Sequence, residues 1–277
     1  MVALKVGIIG CGAIGSVLAR SIDEGKLGNR VKIVSLYDIS FEKAKRLSDT
    51  LKTKVFVAKS FEEFVSIRDL ELIVEAASQR AVKEYGVKVL EHRKDLMVMS
   101  VGALLDEDLL RALTETAERY GRKIYVPSGA VAGIDGLRAA NLGSIEKVVH
   151  IVRKNPKNLQ LSEYAKEKGI RLSGIKESIT IYEGPAYEAI KLFPRNVNVS
   201  ATISLAGIGA EHTTVRVIAD PKINRNVHEL IVKGSFGEIK VVMSNVTHPE
   251  NPRTSFIAAL SALETIRRIA SNINIGT

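Results

Sequence analysis

The chain has 277 residues, of which 45% are hydrophobic, and it carries a formal net charge of +9 at pH 7. This length and apolar fraction suffice for one large or two modest domains, and no apolar run reaches the ~18–20 residues of a membrane-spanning helix. The single cysteine, Cys11, excludes an internal disulfide and, with no secretory pattern, leads us to expect a cytoplasmic protein. Basic residues alternate with acidic ones, which indicates a solvated surface or an anionic small ligand and argues against a nucleic-acid partner.

Strands and helices alternate along the first 127 residues. Short apolar runs predict strands at 4–9, 31–37, 55–57, 70–75, 96–101 and 123–126. Helical spacing and the capping residues Ser40, Ser60 and Gly121 predict a helix that begins at Ser60 and others at 14–25, 40–51, 81–92 and 106–120. This alternation predicts an α/β fold in which a doubly wound parallel sheet carries helices on both faces.

The turn after the first strand is rich in glycine and opens the first helix. It comprises Gly10, Cys11, Gly12, Ala13, Ile14 and Gly15. In a dinucleotide-binding turn, the first glycine permits the tight turn, the second lets the backbone approach a pyrophosphate and the third lets helix and strand pack closely. Free N–H groups at the helix N-terminus then bind the phosphates. We therefore predict a Rossmann cofactor cradle at these six residues, the alternative being a turn that holds no ligand.

An acidic residue, Asp38, ends the second predicted strand 23 residues after Gly15, close to the spacing of ~20 expected in a dinucleotide-binding unit. Its carboxylate is predicted to accept hydrogen bonds from the adenine ribose hydroxyls and to disfavour a 2′-phosphate. Lys43, one helical turn further on, softens that preference. We therefore expect NAD as the cofactor, with NADP as the alternative.

Small residues follow three further strands of the predicted sheet. They are Ala76, Ala77 and Ser78, then Ser100, then Ala130 and Ala132. The carboxyl ends of parallel strands meet in one crevice, and small side chains let a flat cofactor lie against the backbone. We therefore predict that these residues contact the cofactor, the alternative being ordinary strand-to-loop turns.

The apolar runs change character beyond about residue 145. Strands are predicted at 148–154, 178–184, 213–219, 228–234 and 238–244, and a final helix at 253–272. Several of these strands alternate apolar and polar residues, so we expect a second, smaller domain with a largely open mixed or antiparallel sheet. We place the two domains at 1–130 and 131–252, with the segment 253–277 packing back on the first.

Five histidines are candidates for acid or base chemistry, and composition does not choose among them. They are His92, His150, His212, His228 and His248. His228 stands where a polar loop enters the strand predicted at 228–234. No two histidines stand at metal-ligand spacing and the cysteine is alone, so we expect no metal site.

Several segments resemble the L-aspartate dehydrogenase family, in the same order and over nearly the whole chain. They read VGIIGCGAIG, VEAASQRAVKEYG, VPSGAVAGIDGLRAA, LFPRNVNVSATISLA, ADPKINRNVHELIVKG and HPENPRTS. The resemblance implies a Rossmann NAD(P)-binding domain, a smaller α/β catalytic and dimerisation domain, and a homodimer. It also implies oxidation of L-aspartate to iminoaspartate, which hydrolyses to oxaloacetate and ammonia or supplies the biosynthesis of pyridine nucleotides.

The resemblance also assigns roles to particular residues. The family's catalytic histidine falls on His228, and its cofactor-binding asparagine falls on Asn198. Its cofactor-binding alanine falls in the loop that holds Ala130 and Ala132, and the resemblance does not choose between these two. Candidates for binding the substrate carboxylates are the amide and hydroxyl groups of Asn198, Asn226, Thr254 and Ser255.

The chain departs from the family's pattern in two places. Residues 153–159 stand where the family usually has Lys-Pro-Pro-x-Ser-Leu, and Arg253 replaces a common lysine. Neither departure touches His228, which we expect to act as a general acid or base because an imidazole pKa of ~6.5 suits proton transfer near neutral pH.

Two other functions stay open. One is a different Rossmann oxidoreductase that acts on homoserine, dihydrodipicolinate or a sugar, although sugar-type enzymes generally carry Glu-Lys-Pro where this chain reads Ser100-Val101-Gly102-Ala103. The other is a sensor that binds NAD without turnover and uses its second half for dimerisation. A panel of substrates distinguishes all three.

Overall fold

A computed structural model of the chain describes residues 3–167, 169–193, 198–248, 251–273 and 275–276. The chain forms two compact units. The first comprises residues 1–127 and 259–274, and the second comprises residues 128–258 and 275–277. Among the described residues, no helix combines the length and the apolar character that crossing a bilayer requires.

The first unit is built on a six-stranded sheet. Its strands are β1 (Leu4–Ile9), β2 (Val31–Tyr37), β3 (Phe56–Val57), β4 (Leu72–Glu75), β5 (Asp95–Val98) and β6 (Ile124–Tyr125). They lie in the order β3-β2-β1-β4-β5-β6, and every neighbouring pair is parallel. The chain reverses its direction of travel across the sheet between β1 and β4, which is the switch point of a doubly wound sheet. The predicted Rossmann α/β fold is confirmed.

Five helices connect these strands, and local chemistry sets several of their ends. They are α1 (Ala13–Asp23), α2 (Phe41–Ser48), α3 (Phe61–Val65), α4 (Gln79–Glu91) and α5 (Glu107–Tyr120). The Ser60 hydroxyl accepts a hydrogen bond from the Glu63 N–H at 3.1 Å, and Gly121 closes α5 in the left-handed conformation at φ 61°. Ser40 stands at the start of α2 as predicted, but its side chain makes no capping hydrogen bond.

The four strands β3 to β6 are shorter than predicted, and β4 and β5 show the reason. β4 begins at Leu72 and not at residue 70, and β5 ends at Val98 because residues 101–105 form a 3-10 helix. Buried apolar residues continue beyond both ends, as Leu70 and Val101 show. Hydrophobicity alone therefore did not mark where strand pairing stops.

The second unit is built on a five-stranded mixed sheet. Its strands are β7 (Ile145–Lys154), β8 (Ile179–Pro185), β9 (Thr213–Ala219), β10 (Asn226–Gly234) and β11 (Gly237–Asn245). They lie in the order β11-β10-β7-β9-β8. β7 and β9 are parallel, and the other neighbours are antiparallel. The predicted mixed sheet is confirmed.

The described part of the second unit contains four helices, and apolar residues of three of them pack against its strands. The helices are α6 (Ile134–Ala140), α7 (Glu163–Glu167), α8 (Ala186–Leu192) and α9 (Asn198–Ala206). Leu137 of α6 and Ile203 of α9 share a core with Val148 and Leu230, while Ala189 of α8 lies in a second core with residues of β9. This inner face of the sheet is therefore buried.

Polar residues occupy several positions on that buried inner face. Alternate buried residues are Val148, His150, Val152 and Lys154 along β7, and Asn226, His228, Leu230 and Val232 along β10. The antiparallel register sets His228 opposite Val152, which brings its imidazole to the same face as His150 and Lys154. The polar side chains of the candidate site thus occupy inward-facing strand positions at which apolar residues are usual.

The segment before the last helix differs from the prediction. Residues 253–255 were expected to be helical, but they belong to β13 (Asn251–Ser255), which pairs with β12 (Thr247–His248). Helix α10 runs from Ile257 to Ile269, and its residues Leu263 and Ile266 lie in the core of the first unit. The apolar stripe of this helix predicted its existence but not its start. The side chain of Arg253 lies outside the described residues.

Candidate functional site

Three glycines shape the turn between β1 and α1. Gly10 has a φ of 96°, which side chains rarely adopt, and a Cβ there would lie 2.7 Å from the Cβ of Ala77. A Cβ on Gly15 would collide with the carbonyl oxygen of Gly10, so this glycine permits the close packing of α1 on β1. Gly12 is exposed, and a Cβ there would meet no atom within 4 Å. The space beside Gly12 is therefore open.

The N-terminus of α1 offers backbone donors to an anion. Gly12 is the residue before the helix and supplies no side-chain cap, and the first helical turn contains no acidic residue. The first N–H groups of an α-helix have no partner within the helix. A cradle of backbone N–H groups with open space beside it fits the pyrophosphate of a dinucleotide.

Asp38 lies at the end of β2, where the adenine ribose of a dinucleotide is expected. Its carboxylate accepts one hydrogen bond from the Cys11 N–H and one from the Ser40 N–H, both at 2.9 Å. These bonds hold the carboxylate against the glycine-rich turn. Each carboxylate oxygen accepts up to two hydrogen bonds, so both oxygens retain capacity for ribose hydroxyls.

Cys11 is buried in the same turn. Burial, followed by the nearby Asp38 carboxylate, raises the pKa of the Cys11 thiol to about 12. The thiol is therefore protonated at neutral pH. It packs as a small apolar side chain and does not act as a nucleophile.

A buried carboxylate that the sequence analysis did not single out organises two other strand ends. Glu75, the last residue of β4, is 1% exposed. Its carboxylate accepts hydrogen bonds from the N–H groups of Ala77 and Ser78, both at 2.8 Å, and from the Ser100 hydroxyl and N–H at 2.9 and 3.0 Å. Burial raises the pKa of Glu75, and these four donors oppose that shift. The available sequence signal was an acid that closes an otherwise apolar strand.

The structure therefore brings the candidate cofactor residues of the first unit to one edge of the sheet. Ala76 donates its N–H to the Ile9 carbonyl at 2.8 Å, which places it beside the glycine-rich turn. The Glu75 carboxylate joins residues 77–78 to Ser100, and the Asp38 carboxylate joins β2 to Cys11. Two carboxylates thus link four strand ends in two pairs, β1 with β2 and β4 with β5.

The remaining candidate cofactor residues belong to the second unit. Ala130 is buried, and its carbonyl accepts a hydrogen bond from the Asn245 side chain at 2.8 Å, whereas Ala132 is exposed. Asn198 begins α9 and is half-buried. The adjacent Val199 lies in the same apolar core as Ala130, so the 130 loop and the start of α9 are neighbours.

Two histidines of the second unit form a buried hydrogen-bonded pair. His150 Nε2 lies 3.1 Å from His228 Nδ1, and the two rings are nearly parallel, with an interplanar angle of 12°. His150 Nδ1 lies 2.9 Å from the Ser200 hydroxyl oxygen. The strand predicted to begin at His228 begins two residues earlier, because Asn226 and Val227 continue the pairing with β11.

Burial lowers the pKa values of the basic side chains in this cluster. Burial, with smaller contributions from His150 and Lys154, holds the pKa of His228 well below its ordinary value. Burial and the neighbouring Lys154 lower the pKa of His150 to about 3, and burial lowers the pKa of Lys154 itself to about 8. His228 is therefore a neutral imidazole at neutral pH, which can accept a proton.

Asn226 lies two residues before His228 on the same face of β10. Its side chain is fully buried, and Nδ2 donates to the Ser255 hydroxyl oxygen at 3.3 Å. Its Oδ1 is buried and has no hydrogen-bond partner among the described residues. A buried acceptor without a partner costs ~1–3 kcal/mol, so this oxygen is suited to a donor on a ligand. Thr254, also predicted as a substrate residue, is half-buried next to Ser255.

Of the other three histidines, two are exposed and one is buried in a different strand. His92 and His212 are exposed, and His92 Nδ1 contacts the Lys88 carbonyl at 2.8 Å. His248 is buried in β12, and its ring lies 5.7 Å from that of Phe256. Within the described part of the chain, no group of three or more His, Cys, Asp or Glu residues is arranged to hold a metal ion.

Two protein families match successive parts of the chain. The NAD-binding domain of homoserine dehydrogenase matches residues 10–127, and the C-terminal domain of aspartate dehydrogenase matches residues 135–269. The boundary between the two matches lies close to the boundary between the compact units.

Curated relatives match the whole chain. The L-aspartate dehydrogenase of Methanosarcina barkeri is 46% identical over 274 residues, which cover 99% of this chain and 100% of the relative. The L-aspartate dehydrogenase of Methanosarcina acetivorans is 47% identical with the same coverage. That of Methanocaldococcus jannaschii is 43% identical over 275 residues, again with 99% and 100% coverage.

Solved structures extend the same likeness. The aspartate dehydrogenase of Thermotoga maritima is 29% identical, superposes with a TM-score of 0.74 and covers 99% of both chains. A homoserine dehydrogenase from Thiobacillus denitrificans is 14% identical with a TM-score of 0.61, covering 98% of this chain and 74% of that one. The second similarity is one of fold alone.

Proposed function

The chain belongs to the L-aspartate dehydrogenase family, and on this premise we propose that it oxidises L-aspartate to iminoaspartate with a nicotinamide cofactor. One observation on this chain carries the proposal beyond membership of the family. The second unit buries a neutral imidazole, His228, two residues from a buried acceptor with no described partner, Asn226 Oδ1. Oxidation of an amino acid needs a group that accepts the proton of the ammonium group, and a nearby buried acceptor can orient that group by a hydrogen bond.

The cofactor, when bound, supplies the acceptor for the hydride that leaves Cα of the substrate. We assign its pyrophosphate to the backbone of residues 10–15 and its adenine ribose to Asp38, and we place the rest of it along the strand ends. The contacts proposed there are Ala76, Ala77, Ser78 and Ser100 in the first unit and Ala130, Ala132 and Asn198 in the second. Since the Asp38 carboxylate disfavours a 2′-phosphate, we propose NAD as the preferred cofactor over NADP.

His228 is the proposed catalytic acid/base. A protonated amino group cannot become an imine until it loses a proton, and a neutral imidazole accepts that proton. The same imidazole, once protonated, can return the proton to the departing ammonia after water has added to the imine. His228 thus holds a proton between the two halves of the reaction.

The proposed substrate contacts divide by charge. Asn226 Oδ1 accepts a hydrogen bond from the substrate ammonium group, and donors on Asn198, Thr254 and Ser255 bind the two carboxylates. Lys154 is buried on the same face as His228. Its ammonium form would attract the two negatively charged carboxylates of the substrate. Buried polar groups that find their hydrogen-bond partners only on the substrate make the site select against molecules that lack those partners.

We also propose a homodimer formed through the outer face of the second sheet. Opposite the face that packs on α6, α8 and α9, this surface carries the half-buried Ile151, Val227 and Ile231 beside the ion pair Lys240–Glu229 at 3.1 Å. A second copy would bury these residues. Sedimentation of Ile231→Glu should then give a smaller species than wild type, whereas Leu142→Glu, at an exposed loop position, should not. An unchanged sedimentation coefficient for Ile231→Glu would refute this interface.

A substrate panel tests the proposed reaction. Purified protein is mixed with NAD and either L-aspartate, D-aspartate, L-glutamate or L-homoserine, and absorbance is followed at the NADH band. We expect a rise with L-aspartate alone. L-homoserine is included because the first unit matches the homoserine dehydrogenase NAD-binding family. Turnover of L-homoserine in place of L-aspartate would overturn the proposal, and binding of NAD without any turnover would favour a sensor. A cytoplasmic enzyme of this activity would supply iminoaspartate for pyridine nucleotide biosynthesis.

A further inference from the structure

The hydrogen bonds of His228 lead away from the proposed substrate through a second imidazole to a serine. The three groups come from three elements, namely β10, β7 and α9. Ser200 and His150 are fully buried and His228 is 2% exposed. The contacts are 2.9 Å from the Ser200 hydroxyl oxygen to His150 Nδ1 and 3.1 Å from His150 Nε2 to His228 Nδ1.

Packing alone does not explain an imidazole at residue 150. Its neighbours on the inner face of β7 are Val148 and Val152, and Leu230 stands opposite it on β10. A buried polar side chain at such a position costs free energy unless its polar atoms are bonded. Both nitrogens of His150 are bonded, one to Ser200 and the other to His228. The arrangement thus bonds both nitrogens of His150 and, among the described residues, one nitrogen of His228.

The geometry fixes which nitrogen of His228 is available. Nδ1 faces His150, so Nε2 is the nitrogen left for a reacting group. One hydrogen lies between the two rings, and it belongs either to His150 or to His228. Only when it belongs to His228 does Nε2 carry a lone pair that can accept a proton.

We propose that His150, oriented by Ser200, is a positioning residue that holds His228 as the Nδ1–H tautomer with Nε2 free to accept a proton. In this arrangement His228 Nδ1–H donates to His150 Nε2, and His150 Nδ1–H donates to the Ser200 oxygen. When Nε2 accepts the substrate proton, the ring becomes an imidazolium and its Nδ1–H still donates to the neutral His150. The hydrogen bonds need no rearrangement, so no reorganisation accompanies proton transfer. This inference rests on the proposed role of His228.

The charged groups around the pair come from β7. Lys154 lies on the same face of that strand; burial chiefly lowers the pKa of His228, and His150 and then Lys154 lower it further. β9 presents Val215 and Val217 on this side, and α9 presents Ser200. The surroundings thus favour the neutral form of His228 before reaction.

The tautomer is measurable without turnover. Imidazole nitrogen chemical shifts and nitrogen–proton couplings in ¹⁵N-labelled protein distinguish a protonated from an unprotonated Nε2. We expect wild-type His228 to show an unprotonated Nε2 and a protonated Nδ1. In His150→Leu, which keeps an apolar volume but removes the acceptor, we expect Nε2 of His228 to become the protonated nitrogen. A protonated Nε2 in the wild type would overturn the proposal.

Kinetics then separates positioning from folding. For His150→Leu we expect kcat to fall roughly tenfold to hundredfold, the range for losing a partner that orients a functional histidine, with KM for L-aspartate nearly unchanged. His150→Gln, whose amide can accept from His228 and donate to Ser200, should recover part of kcat. Ser200→Ala should show a smaller loss and provides the test if His150→Leu does not fold. A kcat equal to that of the wild type in both Ser200→Ala and His150→Leu would refute the positioning role of His150. Absence of aspartate turnover in the wild type would refute the proposed function instead, and the tautomer measurement would still be valid.

Discussion

The Asp38 carboxylate accepts a hydrogen bond from the Cys11 N–H at 2.9 Å, so the acid that ends β2 is tied directly to the turn that ends β1. This bond joins the two features that the sequence offered as parts of one dinucleotide site. The residue expected to bind the adenine ribose thereby has a fixed position relative to the residues expected to bind the pyrophosphate. On the proposed assignment, its negative charge would disfavour the 2′-phosphate of NADP.

Removing the charge of Asp38 should therefore relax the choice of cofactor. In Asp38→Asn we expect the ratio of Kd values for NADPH and NADH to fall by about tenfold, or about 1.4 kcal/mol, since the amide no longer repels a 2′-phosphate. Fluorescence titration with each reduced cofactor gives both constants. Asp49→Asn, at an exposed acid that pairs with Lys45 in the following helix, is the matched control and should leave the ratio unchanged. An unaltered ratio in Asp38→Asn would remove Asp38 from cofactor selection.

The two glycines that flank the start of α1 should respond differently to alanine. A Cβ at Gly15 collides with the Gly10 carbonyl, so Gly15→Ala should lower the free energy of unfolding by about 1–3 kcal/mol. A Cβ at Gly12 meets no protein atom but enters the proposed phosphate space, so Gly12→Ala should weaken NADH binding at least about tenfold with little change in stability. Urea unfolding and NADH titration of both variants test the contrast. Equal NADH affinity in Gly12→Ala and wild type would show that the open space holds no phosphate.

Glu75 should stabilise the strand ends through its charge and shape together. Both carboxylate oxygens face donors, so in Glu75→Gln the amide nitrogen must meet an N–H or hydroxyl donor. We expect a loss of about 2 kcal/mol in unfolding free energy and weaker NADH binding, because a buried donor is left without an acceptor. Glu71→Gln, at an exposed residue that accepts from the Lys5 N–H, is the control. Wild-type stability in Glu75→Gln would mean that the buried carboxyl group is protonated and already acts as a donor.

Lys154 should make stability depend on pH in the alkaline range. Its pKa is lowered to about 8 in the folded protein from 10.5, so between these values the unfolded chain binds more protons and stability rises with pH. The rise is at most about 3 kcal/mol, the free energy equivalent to the pKa shift. Urea unfolding of wild type and Lys154→Met from pH 7.5 to 10.5 isolates this contribution, since the other titrating groups are common to both. Parallel stability curves for the two proteins would show that the ammonium group is not destabilised by burial.

The sequence predicted the first unit better than the site in the second. The features that predict the first unit are local in the chain. They are the alternation of strands and helices, the glycine-rich turn and Asp38. His150 was recognised in a strand but could not be joined to His228, because 78 residues separate them and only the β7–β10 register brings them together. Glu75 was missed since its importance comes from burial and from donors on two other loops.

Two errors have the same physical origin. The polar residues before His228 predict a loop, yet Asn226 among them lies at a buried position of β10. The apolar stripe predicts a helix over residues 253–255, yet they belong to β13, in which Ser255 pairs with Thr247 of β12. In both places polar residues of the candidate site lie in paired strands that the local hydrophobic pattern does not predict. This is expected where a site is built into a sheet.

The most direct test of the account is the turnover number of His228→Ala with L-aspartate and NAD, measured beside the NADH dissociation constant of the same variant. Loss of a general acid/base predicts a fall in kcat of about 10²-fold or more, with NADH affinity nearly unchanged because the cofactor cradle lies in residues 10–15 and at Asp38. Circular dichroism confirms that the variant is folded. A kcat close to that of the wild type would contradict the central claim that the buried imidazole of His228 transfers the substrate proton.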